Sequence, residues 1–127
     1  MLFRSQEGQR FEFSYGRQDY KLRLADIVSL EKVGNYMCIT DRSGQAYRTR
    51  MTFSKAETQV DSQFLVLMKG LMVNMAFIKQ IRNNQCLMRN GMIFPLNVKN
   101  ARALQQKWLN YIFAAIRSGT SELENDQ

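Results

Sequence analysis

Apolar and polar side chains alternate over most of this chain. Phe11, Phe13 and Tyr15 are separated by polar residues, and after a turn expected at Gly16 to Asp19 the period of two resumes at Tyr20, Leu22 and Leu24. Such alternation buries one face of a strand and wets the other, so the segment reads as a β-hairpin. Asp26 then caps a tight turn. Strands are expected over Ile27 to Lys32 and Tyr36 to Thr40, broken at Gly34-Asn35, and Asp41, Ser43 and Gly44 turn the chain into a strand over Gln45 to Arg50. Thr52 or Ser54 caps a short helix over Phe53 to Val60, Ser54 and Glu57 having the spacing of a capping box. Further on, Ile78 to Arg82 and Gln85 to Arg89 flank Asn83-Asn84, and Asn90-Gly91 is a two-residue hairpin turn into Met92 to Leu96. Pro95 has no N–H to donate, so it puts that last strand at a sheet edge or ends it.

The period changes once. Val98, Ala101, Leu104, Trp108, Tyr111 or Ile112, and Ala115 recur at three- and four-residue steps, with Asn97 as N-cap and Gly119 as stop. This predicts an amphipathic helix over about 98–117. Lys99, Arg102, Lys107 and Arg117 largely avoid its apolar stripe. Two readings of the stripe stay open: it closes the sheet core, against Phe11 and Phe13 for instance, or Trp108, Ile112 and Ala115 make a homodimer. The expected organisation is one domain over 1–118 and a polar, acidic tail over 119–127.

Charge narrows the partner. Sixty consecutive residues, Ser62 to Ser121, carry eight Lys or Arg and no Asp or Glu. Residues 1–61 are net +2, whereas 62–127 are net +5 even with Glu122, Glu124 and Asp126 counted. A positive field with no internal counter-charge favours a polyanion, and nucleic acid is the first candidate; the competing reading is an ordinary domain solubilised by basic residues.

Several function classes fall away. The chain has no His, and Cys38 and Cys86 are 48 residues apart, which excludes zinc fingers and ribbons. Both cysteines, and most of the eight methionines, read as core hydrophobes. There is no Gly-rich phosphate loop, no nucleophile elbow and no carboxylate between Asp61 and Glu122, so no enzyme, cofactor or small-molecule substrate is expected. The greasiest window, Phe64 to Ile78, is interrupted by Lys69, Gly70 and Asn74 and falls short of a bilayer span, and the N-terminus lacks the apolar core of a signal peptide. A cytoplasmic protein is expected.

Read in order, Asp26-Ile27 with Leu30-Glu31, Gly34-Asn35-Tyr36, then Tyr47, Arg50, Thr52 and Phe53, Phe64, Val73-Asn74 with Ile78, Asn90-Gly91 and Pro95-Leu96 resemble the LytTR family of bacterial DNA-binding domains over about residues 10–104. The resemblance implies a mainly β fold of several small antiparallel sheets with a short helix, to which the long C-terminal helix is added. It implies a sequence-specific, response-regulator-like transcriptional regulator whose partner is double-stranded DNA and which inserts loops into successive major grooves at promoter direct repeats.

Carried over by position, the family's contacts with DNA fall on Asn35 and Tyr36, on Arg50 and Thr52, and on Lys99. Lys69 and Arg102 add positive charge. Asn can pair with adenine and Arg with guanine or phosphate, while Thr takes a base edge or a phosphate. Simpler roles stand beside these: Asn35 as a turn residue, Thr52 as a helix cap, Arg50 as a solvated charge. The family's Arg, His and Ser before the Val-Asn pair are Val66, Met68 and Gly70 here, and Val98 follows Asn97 where the family has Arg. These apolar replacements suit the alternative of a degenerate domain acting through protein contacts or dimerisation with weak, non-specific DNA binding. Family members most often follow a receiver domain. The expectation here is either a stand-alone regulator, controlled by a protein partner such as a small membrane protein, or a piece of a longer chain.

Overall fold

In the computed structural model, which describes residues 9–117, the alternating segments become strands of three antiparallel sheets. The chain divides into two compact units, Met1–Phe77 and Ile78–Gln127. The expected tail and the stop at Gly119 lie outside the described residues.

The first unit begins with a hairpin of β1 (Arg10–Tyr15) and β2 (Gln18–Arg23). Its turn is shorter than the sequence suggests: Gly16 and Arg17 alone make it, with φ of +59° and +69°. Both central residues are left-handed, which matches the twist of the flanking strands. A second sheet follows, built from β3 (Ile27–Val33), β4 (Tyr36–Asp41), β5 (Ala46–Thr49), β6 (Phe64–Met68) and β7 (Leu71–Asn74) in the order β5-β4-β3-β7-β6. Register puts Leu30 opposite Ile39 on one side and Met72 on the other, so these side chains share a face. That face packs with Phe11, Phe13, Leu24, Ile27, Met37, Ala56 and Phe64 into one core. Each of the larger side chains contributes about 1.5–3 kcal/mol of hydrophobic stabilisation. The ring of Phe13 stacks on Tyr20 and meets Tyr47 edge-on, both at 5.4 Å between centroids.

The short helix α1 (Phe53–Glu57) stops before the expected Val60, and no capping box forms. Thr52 is the cap instead: its hydroxyl oxygen accepts from the Lys55 N–H at 3.1 Å. Gln59, past the helix end, accepts from the Glu12 N–H at 2.9 Å and donates to the Glu12 carbonyl at 3.0 Å. Its amide thereby satisfies both backbone groups of Glu12 on the edge of β1 that β2 does not pair.

Strands β6 and β7 come from the apolar window of the sequence. All four residues of β7 are buried. A strand covered on both faces shows no alternation, so its period is invisible in the sequence. Gly70, at φ +90°, makes the turn between the two, and its carbonyl accepts from the Lys32 N–H at 2.7 Å.

The second unit pairs β8 (Ile78–Arg82), β9 (Gln85–Met88) and β10 (Ile93–Pro95) in the order β10-β9-β8. Pro95 ends the edge strand β10, as its missing N–H requires. Helix α2 (Val98–Arg117) follows, with Asn97 accepting from the Lys99 N–H at 2.9 Å. Gln105 donates to the Ile81 carbonyl at 2.7 Å and ties the helix to β8. Within the helix Leu104 is buried, whereas Trp108, Ile112 and Ala115 are half-buried and Phe113 and Ile116 are 50% and 58% exposed. No helix among the described residues is long and apolar enough to cross a membrane.

Candidate nucleic-acid interface

Antiparallel pairing sends the C-terminal ends of β3, β5 and β6 and the N-terminal ends of β4 and β7 to one end of the five-stranded sheet. Asn35, Tyr36, Arg50 and Lys69 are therefore brought together from three separated stretches of sequence. Thr52 follows two residues after Arg50. Asn35 sits in the β3–β4 turn behind Gly34 (φ +62°), and its side chain is exposed. Lys69 is exposed in the β6–β7 turn, which the bond from Lys32 to Gly70 fastens beside β3.

Tyr36 is the centre of this cluster. The Arg48 guanidinium lies 4.8 Å from its ring centroid and that of Arg50 lies 5.7 Å away. The negative face of a tyrosine ring attracts guanidinium groups, by about 0.5–1 kcal/mol at an exposed site. Two cations that would repel each other are thus held beside one ring, exposed and without an ion pair among the described residues. Arg48 was not among the residues expected from the sequence. Its signal was present, because Arg48 is two residues before Arg50 and alternation puts the two side chains on one side of β5 and its extension. Only the register, Cys38 opposite Arg48 and Val33 opposite Tyr36, shows that Tyr36 shares that side.

At the opposite end of the sheet, carboxylates are tied into fixed contacts. Arg23 donates to both Asp26 oxygens at 3.2 Å, and Arg42 reaches one at 3.5 Å. The hydrogen bond from Arg23, ahead of the charges of Arg23 and Arg42, holds the Asp26 carboxyl below its ordinary range despite partial burial. Asp41 accepts from the Ser43 and Gln45 N–H groups and closes the β4–β5 turn. Basic groups at that end are neutralised by these carboxylates; those around Tyr36 are not.

Thr52 performs the simpler of its two expected roles, since its oxygen is engaged as a cap. Its hydroxyl proton stays available to an acceptor. In the second unit Lys99 and Arg102 are exposed one turn apart on α2, a spacing that sets both side chains on one face. Val66 and Met68 are 40% and 38% exposed on the edge strand β6, and Val98 is 72% exposed.

Asn74 of the Val-Asn pair belongs to the scaffold. It is fully buried, donates to the Leu24 and Ile27 carbonyls at 3.3 and 2.9 Å, and accepts from the Ala76 N–H and the Gln63 amide, both at 3.0 Å. One side chain thus staples the end of β7 to the entry of β3. Cys86 is buried, and that burial pushes its thiol up to about 11; Cys38 is half-buried, and both are free thiols.

The family model of the LytTr DNA-binding domain matches residues 17–109. Among solved structures, a LytTr DNA-binding domain from Bacillus cereus is similar in fold, with a TM-score of 0.65 at 13% identity over 78% of this chain and 95% of that one. No curated protein matches the chain.

Proposed function

The chain belongs to the LytTr DNA-binding domain family, and from that premise we propose that it is a sequence-specific transcriptional regulator that inserts the β3–β4 turn and the Arg50–Thr52 segment into the major groove of promoter direct repeats. The observation that carries this reading is the gathering of Asn35, Tyr36, Arg48, Arg50 and Lys69, with no ion pair to these cations among the described residues, at one end of one sheet. An Asn amide can read adenine bidentately, while Arg and Lys neutralise phosphates. Lys99 and Arg102 add phosphate contacts from α2.

Half-sites in tandem call for two copies of the domain. The exposed Phe113 and Ile116 extend the apolar stripe of Trp108, Ile112 and Ala115 and supply a surface for self-association. We assign the homodimer to this stripe.

Binding-site selection on the protein and its variants tests the proposal. Asn35→Ala should relax preference at one base position, a loss of roughly 1–3 kcal/mol there, whereas Lys69→Ala and Lys99→Ala should weaken all sequences alike. If about five phosphates are neutralised, raising salt from 50 to 200 mM should weaken binding several-hundredfold. A flat salt response would instead support the second reading, in which Val66 and Met68 on the exposed edge of β6 serve a protein contact.

A further inference from the structure

The β8–β9 turn and the second turn of α2 border an open hollow of about 210 Å³ lined by Ile81, Arg82, Asn83, Asn84, Arg102 and Gln105 among others. Pockets for drug-sized ligands run from roughly 300 to 1,000 Å³, so this one suits something smaller, a single tetrahedral anion with its water. Its walls are fixed from within. Gln105 bonds to the Ile81 carbonyl at 2.7 Å on one side, and the Leu96 N–H bonds to the Asn84 carbonyl at 2.8 Å on the other. Asn83 and Asn84, with φ of +55° and +58°, form a tight turn that keeps two amide side chains at the rim.

The charge at this cavity has one sign. Arg82 and Arg102 are exposed, and neither has a side-chain hydrogen bond or an ion pair among the described residues. Residues 78–117 contain seven Lys or Arg and no carboxylate to neutralise them. A guanidinium presents a planar fork of donors that matches phosphate oxygens, and an Asn amide offers two more N–H groups. The Asn83-Asn84 pair reads from sequence as nothing more than hairpin composition; the fold sets it beside Arg102.

We infer that this pocket holds one backbone phosphate of bound DNA, with Arg82 and Arg102 as its charged ligands and the Asn83-Asn84 turn as its rim. The inference rests on the DNA-binding reading above. The phosphate contact is additional to those of the β3–β4 turn, the Arg50–Thr52 segment and the Lys69 turn.

Two measurements on the intact protein test it. In duplex binding, Arg82→Ala with Arg102→Ala should lower the log-log salt slope by about one, so that the loss between 50 and 200 mM salt shrinks about 3.5-fold, equally for all sequences. Replacement of both by Lys should keep the slope. Phosphate-ethylation interference should lose one position in the double Ala variant. In NMR, inorganic phosphate should shift the backbone amides of Asn83, Asn84 and Arg102 in the wild type and leave them unmoved in the double Ala variant. If the wild type binds DNA and the double Ala variant keeps both slope and interference pattern, the pocket assignment is overturned and the DNA-binding reading stands. If the wild type binds no DNA while phosphate still shifts those amides, the anion site is real but its phosphate comes from elsewhere, and both the DNA source and the DNA-binding reading fall.

Discussion

Asn74 is the most informative position for testing the scaffold, because one buried side chain makes four hydrogen bonds. Its replacement does not cost four bonds equally. Gln63 is only half-buried and can turn to water, and the Leu24 carbonyl keeps a second partner in the Ile27 N–H. Asn74→Ala leaves the Ala76 N–H and the Ile27 carbonyl short of a partner at about 1–2 kcal/mol each, and a small cavity adds to that. The expected destabilisation is about 3–4 kcal/mol, a large share of the ~5–15 kcal/mol that holds a domain together. Asn74→Asp separates hydrogen bonding from packing, since the shape is kept. An ionised carboxylate still accepts from Ala76 and Gln63 but cannot donate to the Leu24 and Ile27 carbonyls, and its charge is buried against them. Burial and those carbonyls raise the folded-state pKa of the introduced carboxyl above its unfolded value. The variant should therefore be most impaired near neutral pH and recover part of its deficit as pH falls through the raised pKa, where the protonated acid supplies one donor. Urea denaturation of the three proteins between pH 4 and 8 measures this. A cost below about 1 kcal/mol for Asn74→Ala, or a pH-independent deficit for Asn74→Asp, would refute the staple.

Three further outcomes are expected. Tyr36→Phe should preserve duplex affinity because the ring face is kept, whereas Tyr36→Ala, which frees both guanidinium groups, and Arg48→Ala, which removes one, should each weaken binding about 3- to 10-fold; equal affinities in a filter-binding titration would remove Tyr36 from the interface. The Cys86 thiol titrates at about 11 in the fold against 9.0 when unperturbed, so unfolding releases its proton between those values and stability should fall by about 2 kcal/mol as pH rises from 9 to 11. Cys86→Ala should flatten that limb in denaturant melts, and an unchanged slope would assign it to other groups. Phe113→Ser with Ile116→Ser should shift sedimentation from dimer to monomer at little cost in stability, because both side chains are exposed; a wild type that already sediments as a monomer would end the dimer assignment.

What the sequence determined by itself was local. Alternation at Phe11, Phe13 and Tyr15, left-handed formers at Asn83-Asn84, the missing N–H of Pro95 and the three- and four-residue steps after Asn97 each act within a few residues, so strand, turn and helix could be read directly, whereas the turn expected at Asn90-Gly91 takes three residues, 89–91, with Gly91 alone left-handed. The spacing of those landmarks carried the family as well, since turns and caps sit at fixed distances along any chain that folds this way. The tertiary structure decided what depends on pairing between distant segments. Strand β7 carries no period because both its faces are covered, and its place beside β3 follows from packing. Asn74 looked like part of a motif until four partners closed around it. Arg48 drew no expectation until register set it over Tyr36, and Arg82 acquired a neighbour in Arg102 only when α2 was tied to β8. Pairing across tens of residues is set by the burial of whole faces, and no single stretch of sequence records it.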